Sequence, residues 1–146
     1  DFMIQAGDPY TRPKTMKKVD VSLKKVPAEI NSKYIHKKGA LAAARQGDDS
    51  NPEKKSSSSQ FYIVQGRKYP RKYLPAFEEK NGIKYTEAQK DLYEDIGGAP
   101  HLDGGYTVFG EVIQGIGVVD KIAQGPTSLS DKPNSAVYIL KMEVIN

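Results

Sequence analysis

The chain contains no cysteine. Disulfides, thiolate metal sites and cysteine nucleophiles are therefore excluded, and the redox compartment goes unmarked. Histidine is nearly as scarce. His36 and His101 are the only two, far apart and without the spacing of a metal site. No apolar run approaches the roughly 20 residues of a membrane span. Asp48 and Asp49 lack the periodic ligands and closing glutamate of a calcium loop. Gly115 and Gly117 lack the third glycine of a dinucleotide fingerprint. No Gly-x-Ser-x-Gly elbow surrounds the serine run Ser56 to Ser59. Covalent, metal-assisted and cofactor-borne chemistry thus lose their usual carriers, and no cofactor is expected.

What remains begins with length and charge. At 146 residues the chain can form one domain with a proper core. Hydrophobic residues make up 38%, and the mean hydropathy is −0.60. A net charge of +4 and a pI of about 9.1 invite a nucleic-acid partner. The lysines, however, fall in separate pairs: Lys17-Lys18, Lys24-Lys25, Lys37-Lys38 and Lys54-Lys55. Scattered pairs usually mark solvated surface, so no nucleic-acid partner is expected. One local exception is Arg67, Lys68, Arg71 and Lys72 with Tyr69 and Tyr73 as stacking faces. A solvated, tyrosine-rich flap is the plainer reading of that stretch.

Periodicity supplies the elements. Residues 2–5 read as a strand closed by a turn at Gly7, Asp8 and Pro9. Val19, Val21 and Leu23 alternate with Asp20 and Ser22, which predicts a half-buried strand. Residues 39–45 are small and apolar. Helix propensity and the flanking Gly39 and Gly47 leave helix and strand both open. Residues 46–59 read as a loop, and 60–66 as a strand rich in aromatic and β-branched residues. A basic insert follows, with one helix whose ends are visible: Thr86 as N-cap, Gln89 at capping-box spacing and Gly97-Gly98 as the stop. Ala88, Leu92 and Ile96 form its expected apolar face. Residues 106–113 predict a strand. Residues 116–123 predict a helix with Ile116, Val119 and Ile122 on one stripe, ended by Gly125-Pro126. The tail, 136–145, alternates as a strand does, with Tyr138, Leu140, Met142 and Val144 on one face. A mainly β domain, barrel or sandwich, with helices packed on it, is expected.

Three separated pieces stand out: "FMIQAGDP", "SSQFYIVQG" and "HLDGGYTVFGEV". Each sets large apolar or aromatic side chains beside an amide or hydroxyl. Phe2, Met3, Tyr62, Leu102 and Tyr106 could wall an apolar pocket, and Gln5 and Gln60 could bind a peptide backbone. The bland alternative is that these are ordinary core residues and strand-end amides.

In order and interval, these pieces resemble the cyclophilin family of peptidyl-prolyl cis-trans isomerases. That family's "FMxQxGD", "SQFFI" and "LDGxxxVFGxV" match Phe2 to Asp8, Ser59 to Ile63 and Leu102 to Val112. The likeness covers most of the chain apart from an inserted flap and helix at about 67–98. It implies a single cyclophilin-like domain over 1–146, a closed eight-stranded antiparallel β-barrel capped by helices, with 116–123 as the second capping helix. It also implies an isomerase acting on X-Pro bonds in protein folding, or alternatively a non-catalytic module that holds proline-containing peptides. Its partners would be such peptides and unfolded proteins, its state monomeric, and its compartment bacterial periplasm or cytoplasm.

Carried over by residue, the resemblance places Phe2, Met3, Tyr62, Leu102 and Tyr106 around the proline ring and sets Gln5 and Gln60 against the substrate backbone. Phe2, Gln5 and Tyr106 stand as the catalytic candidates. Ala43, Ala44 and Arg45 match the family's Met-Ala-Asn stretch, whose backbone pairs with bound peptide. Tyr62 stands where the family usually has Phe, and Tyr106 where many members have His. His101 replaces the Trp of cyclosporin-sensitive members and is counted among the substrate-binding candidates. The family's catalytic Arg lies five residues before the position of Phe2, which puts it upstream of Asp1. The resemblance sets the first two strands and first capping helix there too, so the chain as given is expected to catalyse poorly by itself.

Overall fold

The computed structural model describes residues 2–11 and 24–145. Four short strands carry the sheet: β1 (Met3–Ala6), β2 (Ala40–Ala43), β3 (Phe61–Val64) and β4 (Val108–Glu111). All pair antiparallel, in the order β1-β3-β2-β4. The open question at residues 39–45 is thereby answered. Alanine favours helix in isolation, but β2 lies between β3 and β4 and hydrogen-bonds to both. Ala40 and Ala42 are almost wholly buried there. Pairing and burial on two sides override local propensity.

Register then decides what faces what. Met3 pairs with Val64 and Gln5 with Tyr62; Ala42 pairs with Tyr62 and, across a register shift, with Val108. Side chains alternate along a strand, so these residues share one face. Ala40, Ala42, Ala44, Tyr62, Val64 and Ala99 form its core, with Met3, Leu102, Tyr106 and Val108 packed against it.

The sheet is open, with β1 and β4 at its edges. The expected closed barrel is therefore not what the described residues form. Residues 136–145, expected as a strand, form none, and Leu140 and Val144 are fully exposed. A strand exists only with a hydrogen-bonding partner, and no described strand pairs with this tail. The strand expected at 19–23 lies outside the described residues.

The insert holds two helices rather than one: α1 (Leu74–Asn81) and α2 (Glu87–Asp95). Pro75 is tolerated in the first turn of α1, where amide donors are unpaired anyway, and Gly82 closes it in a left-handed conformation. The capping box of α2 forms as expected: Thr86 Oγ1 accepts from Gln89 N at 3.2 Å, and Gln89 Oε1 accepts from Thr86 N at 2.9 Å. The buried face of α2 differs from the expected one. Ile96 and Ala88 are exposed, and Tyr93 is completely buried. Tyr93 joins Ile35, Leu74 and Tyr85 in a second core beneath the insert.

Arg71 ties the insert together by meeting Glu87 at 2.6 Å, Asp91, and Glu94 at 3.2 Å. Tyr69 packs edge-on against Phe77 with centroids 5.4 Å apart. Two components of the conceivable base-stacking surface are thus committed to the insert itself. The helix α3 (Ile116–Ala123) buries Val119 and keeps Ile116 and Ile122 half-buried, as its stripe predicts. Lys38 Nζ reaches Asp120 Oδ1 at 2.5 Å and fixes α3 beside the sheet. Among the described residues no helix is long and apolar enough to cross a membrane.

Candidate functional site

The shared face of the sheet runs off its edge into a cavity of about 370 Å3, within the range of small-molecule and peptide-side-chain sites. Gln5 sits on β1 and Tyr62 on β3; Gln60 and Ala44 continue the same alternation just beyond the strand ends. Phe2, Met3, Tyr62, Leu102 and Tyr106 all line the hollow, together with Gln5, Gln60, Ala44 and Arg45. The five expected apolar walls are thus gathered around one space rather than dispersed through separate cores.

Two expected residues do not line it. Ala43 is one step out of phase with Ala44, so it belongs to the opposite face, and its N–H is spent on Thr107 O at 2.9 Å. His101 stands behind a wall: its ring packs edge-on against Phe2 at 4.8 Å. Burial, followed by the charge of His36, lowers its pKa from the usual histidine value.

The walls have fixed orientations. Tyr62 and Tyr106 meet edge to face at 5.9 Å and 84°. The Arg45 guanidinium lies 4.4 Å from the Tyr106 centroid, a cation–π contact on the ring face. Arg45 is itself held, with Nε donating to Gly105 O at 2.7 Å and Nη1 to Gln46 O at 2.9 Å and Asp48 Oδ1 at 2.6 Å. At the mouth, Gln5 Nε2 donates to Gln60 Oε1 at 3.0 Å. Behind the cavity, the Tyr62 hydroxyl meets His36 Nε2 at 2.9 Å. Burial, then Tyr106 and Asp103, push the Tyr62 phenol far above its ordinary pKa, so it stays a neutral hydroxyl.

Several lining residues escaped the sequence reading. Ser57, Ser58 and Ser59 form part of the wall, and Lys25 and Lys55 also line the cavity. The serines read as polar loop; their place directly before Gln60 was the available signal. Ser59 Oγ is buried with no hydrogen-bond partner among the described residues. Asp103 lies within the third matched motif and His36 in none; their pairing is made only by the fold.

A family profile described as cyclophilin type peptidyl-prolyl cis-trans isomerase/CLD matches residues 1–144. A Streptococcus pyogenes protein named as a bifunctional phosphatase/peptidyl-prolyl cis-trans isomerase is 34% identical over the whole chain, which spans 29% of that relative's length. A Staphylococcus aureus protein named as a peptidyl-prolyl cis-trans isomerase is 31% identical over 99% of the chain and 68% of its own length. A crystal structure of a Cryptosporidium parvum cyclophilin type peptidyl-prolyl cis-trans isomerase has a TM-score of 0.55 at 21% identity, covering 92% of this chain and 61% of that one. That likeness concerns the fold. With the profile spanning nearly the full sequence, the chain belongs to the cyclophilin-type peptidyl-prolyl cis-trans isomerase family.

Proposed function

We propose that this protein accelerates rotation about X-Pro peptide bonds in unfolded or extended chains, acting as a monomer. The observation that carries the reading is the convergence of Phe2, Met3, Tyr62, Leu102 and Tyr106 on one hollow with two amides at its mouth. In this reading the hollow seats the pyrrolidine ring. Gln5 and Gln60 hold the flanking backbone, and Ala44 and Arg45 present the strand end beside it.

The chemistry asks little of the site. An X-Pro bond resists rotation because nitrogen donates into the carbonyl, with a barrier of about 18–20 kcal/mol. At the half-turned state that donation is lost, and the nitrogen regains a lone pair able to accept a hydrogen bond. A cationic donor aimed there binds the twisted state better than either planar state, which is what lowers the barrier. Tyr62 and Tyr106 exclude water around the ring and strengthen that interaction. No bond is made or broken.

The closed barrel is part of the same proposal. Among the described residues β1 and β4 have no partner on their outer edges, and the tail 136–145 keeps a strand's apolar alternation while its side chains lie exposed. Open edges and an unpaired apolar strand are features that barrel closure removes.

A protease-coupled isomerisation assay on the natural protein tests the activity; no acceleration over the uncatalysed rate overturns it. One observation favours a second reading, a module that holds prolyl peptides without twisting them. Arg45, the guanidinium lining the cavity among the described residues, has both Nε and Nη1 committed to acceptors in the protein itself. Peptide binding without line-broadening exchange between cis and trans resonances would select that reading.

A further inference from the structure

A tyrosine at position 62 brings a hydroxyl into a buried wall, and a buried hydroxyl needs a partner. The partner is His36 Nε2, at 2.9 Å. The two rings lie 12° from parallel with centroids 6.0 Å apart. On its other side His36 is gripped twice by one oxygen: Asp103 Oδ1 stands 2.7 Å from Nδ1 and accepts the backbone N–H of His36 at 2.8 Å. A carboxylate only accepts, so Nδ1 carries its proton toward Asp103, and Nε2 shares the remaining hydrogen bond with the Tyr62 hydroxyl.

The second oxygen of Asp103 faces the insert. Oδ2 accepts from the Tyr85 hydroxyl at 2.7 Å and the Tyr93 hydroxyl at 2.5 Å. Tyr93 lies on α2, and Tyr85 leads into it. His36, Tyr62, Tyr93 and Asp103 are each no more than 4% exposed. Charge-assisted bonds in such surroundings are strong and directional. No water-exposed group interrupts the chain, so a shift at one end must be absorbed along it.

We propose that the 67–98 insert sets the orientation of the pocket wall Tyr62 through Asp103 and His36, which makes Tyr93 and Tyr85 positioning residues for a peptide site they do not touch. This rests on the reading of the cavity as a prolyl-peptide site. Removing one insert hydroxyl leaves the Asp103 carboxylate short of a donor. The carboxylate then reorients, His36 follows, and the Tyr62 hydroxyl loses its aligned partner.

The test is a double-mutant cycle on the natural protein with Tyr93→Phe and Tyr62→Phe, read by kcat/KM for a prolyl peptide, by thermal midpoint, and by the ring resonances of Tyr62. Tyr93→Phe is expected to shift the Tyr62 ring resonances and lower kcat/KM about fivefold. In the Tyr62→Phe background, the same change is expected to leave kcat/KM unaltered while still lowering the thermal midpoint, since the hydroxyl that relays the effect is gone. Equal losses of kcat/KM in both backgrounds overturn the proposal, as does an unmoved Tyr62 resonance in Tyr93→Phe. Tyr85→Phe serves in place of Tyr93→Phe if the latter does not fold. A wild-type protein inert toward the peptide sinks the isomerase reading, and the Tyr62 resonance still decides the relay.

Discussion

Gln5 and Gln60, 55 residues apart in sequence, meet amide to amide at 3.0 Å across the mouth of the cavity. They meet because Gln5 is paired with Tyr62, and Gln60 lies two residues before Tyr62 on the same face. The bond is exposed, so it contributes little to folding and is readily exchanged for a peptide group.

Gln5→Ala is therefore expected to raise KM for a prolyl peptide about fivefold and to change stability by less than about 1 kcal/mol. Steady-state kinetics and a thermal melt check both. A large loss of stability with unchanged KM would assign Gln5 to the fold alone.

Phe2→Ala removes a wall and its edge contact with His101. Phe2 remains 38% exposed, so the stability cost stays below that of a core truncation. Peptide affinity and turnover are expected to fall together, on the order of tenfold. Calorimetric titration beside the activity assay measures the two separately.

Asp103→Asn strikes the buried network. Asparagine keeps one accepting oxygen and turns a donating amide toward groups that are themselves donors. Unpaired buried donors cost about 1–3 kcal/mol each. We expect a loss of roughly 3 kcal/mol and a fall in thermal midpoint of about 6–12 °C at this chain length. A midpoint within a degree or two of wild type would show that the network relaxes at little cost.

His101 gives a pH dependence of definite sign. Burial, then His36, hold its folded pKa below the ordinary 6.5. The unfolded chain thus binds the proton first as pH falls, and stability declines with acid. The contribution is intact above pH 6.5 and is lost as pH drops through the lowered folded value. His101→Gln is expected to flatten the fall in midpoint below pH 6.5; identical slopes in both proteins would place the cause elsewhere.

The cavity is lined by Lys25, Arg45 and Lys55, with no carboxylate among its described lining residues. Arg45 and Lys55 are partly offset by Asp48 and Glu53 at 2.6 and 2.7 Å, so the preference for an acidic flank should be modest. Peptides with Glu beside the X-Pro bond are expected to have KM about threefold lower than those with Lys, converging as salt shortens the screening length. Equal KM values at low salt would remove the cations from specificity.

The parts of this molecule that sequence made legible are those with local causes. Thr86 and Gln89 announce the start of α2 whatever surrounds it. The aromatic and β-branched run around Tyr62 reads as a strand from composition alone, and the stripe of α3 requires only a core on one side. The parts that stayed hidden depend on partners. β2 is a strand because β3 and β4 flank it, which the run of alanines does not say. The start of α1 lay behind a proline, and its N-terminal tolerance for proline was the overlooked signal. On α2, Tyr93 displaces the expected Ile96 face because a hydroxyl acceptor, Asp103, waits beneath it. The tail shows the converse error: a strand's alternation is legible at 136–145, but alternation supplies no partner. At the site, the motifs located the walls, and the strand period explains why Ala44 reaches the cavity and Ala43 does not.

The insert leaves and rejoins the sheet at a single clasp. Arg67 N donates to Gly98 O at 3.1 Å, and Gly98 N returns the bond to Arg67 O at 3.0 Å. A Cβ on Gly98 would sit 2.3 Å from His36 O, so this junction admits glycine alone without displacement. The excursion is therefore a loop tied off at its neck, and its length can change without disturbing strand register. Beyond that neck, the two tyrosine hydroxyls that reach Asp103 pin the far side of the loop to the ground beneath it.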